Sequence, residues 1–431
     1  MEKSPPLAMD RARVKRPERE QVEWRPVALD QLLAADHRAR IVWRYVDSLD
    51  LSAVYAKIRA VEGVAGRDAV DPKILMALWM FATIEGISSA RQLARLCERD
   101  LAYLWICGGV GVNYHLLSDF RTAHADFLDQ LLSDTIATLM HQGLVTLDLV
   151  AQDGMRVRAG AGSSSFRRQK TLEKCRDEAR RQVRKLREES ENEAHREASH
   201  ARREAARERA AREREARISK ALDELAQLQE QKEKRQKGSG QEARCSTTDP
   251  EARKMKMGDG GYRPAYNVQF ASDGGARMIV AVEVTNSGSD RGQMASMHEE
   301  IRKRYEKTPV HYAVDCGFAT KEDITAVEKR GSQTIAPVHG EKRMRQKGND
   351  PYARQPGDSD EMFAFRQRMA TEEAKEMYKQ RPSIAEFPNA ECRNRGLQQF
   401  RVRGLNKVRT VALWHAIVFN FMRMIDLRCL T

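Results

Sequence analysis

The sequence lacks what would tie it to a membrane, an oxidising compartment or a zinc cluster. No apolar run approaches the ~18–20 residues that span a bilayer. The stretch Met1 to Arg25 is charged and has no apolar h-region, so no signal peptide is expected. The seven cysteines are odd in number and include no Cys-x-x-Cys pair, which argues against a disulfide framework or a zinc site. Glycine and proline are missing from 163–237 altogether, which excludes a loop-rich segment there. Acidic balance is missing too: the formal net charge is +13. That excess points to a polyanionic partner, nucleic acid first. The expectation is a soluble, cytoplasmic, DNA-binding chain.

Residues 1–22 are charged and Pro-containing, and read as a disordered tail. Helical periodicity then runs through 23–142, an all-α N-terminal block. Asp71-Pro72 opens a helix that is apolar nearly all round, and Gly86 punctuates it. Ser89 and Gln92 read as a capping box for the next helix. The pair is compatible with a helix-turn-helix that presents Arg91, Gln92 and Arg95 to a major groove, and equally with an ordinary packed helix pair. Asn113, His115 and Arg121 follow a Gly-rich turn and fit either phosphate contact or helix capping.

The insertion 163–260 is dominated by Arg, Glu, Lys, Ala and Gln, with many Glu–Arg pairs at four-residue spacing. Ile218, Leu222 and Leu225 give one coiled-coil-like step. One or two long helices, or a helical hairpin, are expected. Such an arm is either a solvated projection or a contact to DNA or a second subunit.

The rest alternates strands and helices. Leu144–Gln152 reads as a buried strand that ends on Asp153, with Gly154 as the break. Alone, Asp153 fits a turn or cap residue as well as a ligand. Tyr266–Phe270 and Met278–Val284 form a hairpin around Asp273-Gly274-Gly275. Helices are expected over Asp290–Tyr305, Lys321–Arg330 and Glu361–Gln380, with 340–360 irregular. Val310–Val314 is a second apolar strand ending on an Asp, Asp315, and Gln333–Pro337 is a short strand. A helix starting near Pro382 carries Glu386, and Val411–Met422 is an apolar helix that should pack on the sheet.

This order is that of an α/β ribonuclease H-like fold, a mixed five-stranded sheet interrupted by the insertion, over 143–162 and 261–431. In it the strands of Asp153 and Asp315 lie side by side. Two like charges so close are costly unless a cation sits between them. Oxygen-only ligands select a hard ion, Mg²⁺ or Mn²⁺.

On these residues the chain resembles the DDE transposases of bacterial insertion sequences. The resemblance rests on Gln152–Ala159, Ser246–Ala252, Gly260–Gln269, Val314–Phe318 and Arg395 through Leu405. It includes a Tyr-x-x-Arg…Glu element on Tyr378, Arg381 and Glu386, with Arg393 where the family pattern has Lys. The resemblance implies that Asp153, Asp315 and Glu386 hold two Mg²⁺ or Mn²⁺ ions, with Glu391 as the nearby competitor for the third place. It implies strand cleavage and strand transfer at terminal inverted repeats, with Tyr378, Arg381 and Arg393 on DNA phosphate. It further implies double-stranded DNA as partner and at least a homodimer in the active complex. A catalytically inactive DNA-binding or scaffolding protein is the alternative.

Overall fold

The structure is a computed structural model that describes residues 26, 28–60, 68–192 and 198–429. The expected tail, 1–22, lies outside them.

The N-terminal block folds as α1 (Arg38–Asp47), α2 (Ser52–Tyr55), α3 (Pro72–Ile84), α4 (Ala90–Leu96), α5 (Leu101–Cys107), α6 (Tyr114–Ala123) and α7 (Ala125–His141). Helix α3 starts where Asp71 accepts from the Lys73 amide with Pro72 in the first turn, and it is buried along its whole length. Gly86 turns the chain with φ +72°, and Ser89 caps α4. Asn113 caps α6 by accepting from the Leu116 amide at 2.9 Å. Arg121 is buried, stacks over the Trp79 ring at 4.6 Å and donates to the Ser88 carbonyl. The cap reading therefore holds for Asn113, and Arg121 is a packing residue.

The sheet begins with β1 (Leu149–Arg158). This corrects the expected strand end: Gly154 lies inside β1, and Asp153 is mid-strand. The insertion follows, as β2 (Phe166–Arg167), α8 (Gln169–Asn192), α9 (Ala198–Arg235) and β3 (Cys245–Ser246). Helices α8 and α9 pack as an antiparallel hairpin, with Arg180 on Glu215 at 3.0 Å and Gln229 on Gln169 at 3.1 Å. Its own small core is Leu172, Ala221, Leu225, Ala243 and Cys245. β2 and β3 close the root of this arm.

Next come β4 (Arg253–Lys256), β5 (Tyr262–Asp273), β6 (Ile279–Thr285), α10 (Met294–Tyr305), β7 (His311–Ala313), α11 (Lys321–Lys329) and β8 (Gln333–Ile335). The five core strands run in the order β6-β5-β1-β7-β8, with β1 antiparallel to β5 and parallel to β7. The sheet has a sixth strand, β4, at the end of the 163–260 insertion, past its Gly- and Pro-free helical stretch, where no strand was expected. It pairs with Tyr262–Ala265, the start of the long β5, and β6 pairs further along from Asn267. The chain then forms α12 (Glu341–Gln346), α13 (Asp360–Ala370), α14 (Glu372–Arg381), a π-helical turn (Pro382–Glu386), α15 (Phe387–Asn394) and α16 (Leu405–Asp426). The helix expected over Glu361–Gln380 is thus two, separated where Thr371 is extended and caps α14.

Helix α16 is buried along most of its length and joins the two halves. Trp414 donates from Nε1 to the Arg121 carbonyl at 3.0 Å, and Asn420 bonds both the amide and the carbonyl of Ile279 at 2.8 Å. One continuous apolar core therefore runs from α1 through the sheet to α16.

Candidate active site

Side chains alternate across a strand, and β1 uses both faces for polar work. On one face Gln152 and Arg156 flank Gly154. Gln152 bonds Gln269 at 3.1 Å and accepts from the Tyr312 hydroxyl at 2.9 Å. Asp290 accepts from Asn267, Gln269 and Arg156 at 2.7, 2.9 and 2.7 Å. A Cβ on Gly154 would lie 2.5 Å from Asp290 Oδ1 and 2.5 Å from Gln269 Nε2. Gly154 is therefore required by close approach from a second element, not by a turn. Asp290 also lies ahead of α10 in a loop rather than inside the helix where the sequence placed it.

Asp153 points to the other face. The parallel register pairs Leu149 with His311 and Ala151 with Ala313, so Asp153 and Asp315 come level two residues further on. Burial raises the Asp153 carboxyl above its usual range; Arg381 opposes this and the charge of Asp315 adds to it. Asp315 Oδ1 accepts from the amides of Gly317 and Phe318 at 2.7 and 3.3 Å. Asp315 is thus also the turn residue that its sequence context allowed.

Glu386 arrives on the π-helical turn. Pro382 and Pro388 both lack an amide hydrogen, so no regular ladder can run through this stretch, and the chain widens between them. Arg381, which is buried, bridges the site: Nη2 reaches Asp153 Oδ1 at 2.9 Å and Nη1 reaches Glu386 Oε1 at 3.2 Å. Asn389 donates to Asp153 Oδ2 at 2.9 Å. Burial pushes the Tyr378 hydroxyl up, with Arg381 opposing and the charge of Asp315 adding. Glu391 pairs instead with Arg395 at 2.9 Å. Arg393 is exposed on α15 and makes no side-chain contact with these groups among the described residues. Arg91, Gln92 and Arg95 are all exposed on α4 and line a separate cleft.

The sequence had not pointed to Asn389, Asp290 or the structural need for Gly154. The only signal was the Asn267-x-Gln269 alternation, two amides on one strand face that need a buried partner.

Among the described residues, no three His, Cys, Asp or Glu side chains converge as a metal cage. The donor set nevertheless suits a hard cation. Burial and a neighbouring like charge already penalise ionised Asp153, and a guanidinium is recruited to offset them.

Comparison with known families agrees with this architecture. The transposase DDE domain matches residues 235–421, and the transposase domain DUF772 matches residues 27–123. Asp315 and Glu386 lie within the first match, and Asp153 lies before it. Neither the curated proteins nor the solved structures give a match. The two matched domains and the mixed sheet define a transposase of ribonuclease H-like fold. The two family matches together support an insertion-sequence DDE transposase.

Proposed function

We propose that the chain cleaves DNA at the terminal inverted repeats of its own element and transfers the freed 3′ end to target DNA. The observation that supports this reading is that Arg381 reaches both Asp153 and Glu386, while the β1/β7 register sets Asp315 level with Asp153, so groups from three distant parts of the chain meet through one guanidinium. Asp153, Asp315 and Glu386 would hold two Mg²⁺ or Mn²⁺ ions. Bound there, the ions would activate the attacking oxygen and stabilise the leaving one.

The chain's own groups do the rest. Asp153 is held in place by Arg381 and Asn389, so its orientation is set before DNA arrives. A cation bound at Glu386 would compete with Arg381 for that carboxylate and would free its guanidinium for a phosphate. Tyr378 lines the same edge with a hydroxyl that stays protonated. Arg393, being exposed, adds charge for the flanking backbone. Residues 23–142 serve as the DNA-binding block, and 143–162 with 261–431 as the catalytic domain. Cutting two ends calls for two copies in the active complex, which works on the bacterial chromosome in the cytoplasm.

One observation favours a second reading, a DNA-binding protein without catalysis: Arg381 already neutralises two of the three carboxylates. A labelled inverted-repeat duplex separates the two. Nicking in Mg²⁺ or Mn²⁺ that disappears in Asp153→Ala and Asp315→Ala, with binding retained, supports the enzyme. Binding by the wild type without metal-dependent nicking supports the second reading.

A further inference from the structure

Two sequence stretches carried no role in the site above: Ser246–Ala252 and Arg401–Leu405. The structure makes them partners. Asp249 accepts from the Tyr266 hydroxyl at 2.7 Å and from the Gly404 amide at 3.2 Å. Glu251 accepts from the Leu405 amide at 3.2 Å and pairs with Lys220 of the arm at 3.1 Å. Gly404 has φ +86°, and a Cβ there would meet Glu251 Oε2 at 2.9 Å. The acidic loop thus clamps the backbone of 404–405 and holds Arg401 and Arg403 outward on a fixed turn.

That turn forms the floor between two clefts. One, about 670 Å³, is lined by Arg91, Gln92 and Arg95 of α4 and by His115 of α6. The other, about 420 Å³, is lined by Arg217 and Lys220 of α9 and by Arg403 and Lys407. Both include Ser118, Asp119, Arg401 and Val402, so they adjoin across this turn and together form one run of grooved surface. It crosses the N-terminal block, the catalytic domain and the root of the arm.

Lys220 and Arg217 are paired with Glu251 and Glu213, but much of the remaining charge in this groove is unspent. Arg401, Lys407 and Arg95 have no carboxylate within ion-pair distance among the described residues, and all three are exposed. Of the acids, Asp249 and Glu251 are committed to the clamp, and Asp119 alone faces the opening. Cations left unpaired along an open groove suit a long polyanion rather than one small ligand.

We propose that this groove is a track for the sugar-phosphate backbone of duplex DNA, with the Asp249–Glu251 loop as its buttress and the arm as its second wall. The proposal rests on the transposase reading. It adds that the arm, the 401–407 segment and α4 grip one continuous duplex. Arg158 at the end of β1 accepts the amide of Phe400 beside this floor. Asp153 lies five residues back along the strand, about 17 Å at ~3.4 Å per residue. That spacing sets the grip roughly five base pairs from the cut.

The test is duplex binding by fluorescence anisotropy in EDTA, with the salt concentration varied. The full chain is compared with Arg401→Ala/Lys407→Ala, with Arg217→Ala/Lys220→Ala, and with Arg343→Ala as an exposed arginine outside the groove. Each removed phosphate contact lowers the slope of log affinity against log salt by about 1, so each pair should lower it by about 2. The preference for the end sequence should stay unchanged, as should the slope of the Arg343 variant. Unchanged melting curves show that the variants fold. A slope unaltered in either pair overturns the single track. So does displacement by a poly-glutamate peptide of equal charge with the duplex slope intact, which would mark an acidic protein partner. Because no metal or cleavage enters the measurement, failure here leaves the catalytic reading standing, and failure of nicking leaves this one standing.

Discussion

The edge of β1 and the groove at its far end treat charge in opposite ways. At the edge, charges of both signs are tied to one another: Arg381 spans Asp153 and Glu386, and Asn389 takes the remaining oxygen of Asp153. At the groove, acids are drawn into a backbone clamp, and Arg95, Arg401 and Lys407 are left exposed without an ion pair among the described residues. The first arrangement is carboxylate-rich and asks for a cation. The second asks for an anion. A protein that brings a metal ion to a DNA strand needs both, and a fixed distance between them.

The largest effect that can break this contrast is at the third carboxylate. Glu386→Gln should abolish metal-dependent nicking, a loss beyond the roughly 10–100-fold typical of groups that only support a ligand. Glu391→Gln removes only a pair with Arg395 and should leave nicking near wild type. The reverse ranking, read from initial nicking rates, would move the site one helical turn along α15.

Smaller in scale is the packing behind β1. Gly154→Ala drives a methyl into Asp290 and Gln269, both held in a hydrogen-bonded network. The expected cost is about 1–3 kcal/mol, read from urea unfolding. Unchanged stability would show that the network gives way freely and does not position Asp153.

The smallest effect is a pH dependence away from both regions. His298 is fully buried, and burial holds it down to about 4, with Nε2 on Ser332 Oγ at 2.6 Å. A depressed pKa means that the unfolded state takes up the proton first. The stability tied to neutral His298 is therefore complete above the ordinary histidine pKa of about 6.5 and is lost as pH falls toward 4. His298→Gln should flatten the melting temperature across that interval while leaving the neutral-pH profile of nicking alone.

How much of this was legible in the sequence follows from what each feature depends on. The strands of Asp153 and Asp315 could be read because each is a local apolar run that meets a carboxylate. The arm could be read because a stretch without Gly or Pro and dense in Glu–Arg pairs has few alternatives to helix. Gly154 was misread because glycine in a strand looks locally like a break, and its reason, Asp290, is far along the chain. Strand β4 was missed because Arg253–Lys256 is mostly charged, and it pairs only with the overhanging start of β5. The turn that delivers Glu386 depends on amide hydrogens missing at Pro382 and Pro388 together, which periodicity does not register. The clamp between Asp249, Glu251 and Gly404 joins two motifs across a long stretch of chain, so each looked idle alone.

The most direct measurement is where a metal ion sits. Fe²⁺ substituted for Mg²⁺, with ascorbate and peroxide, cuts the backbone beside its ligands whether or not DNA is cleaved. Three cuts are expected, next to Asp153, Asp315 and Glu386, all suppressed by excess Mg²⁺ and all lost together in Asp153→Ala. Cuts beside Glu391 in place of Glu386, or none above background at the edge of β1, would contradict this placement.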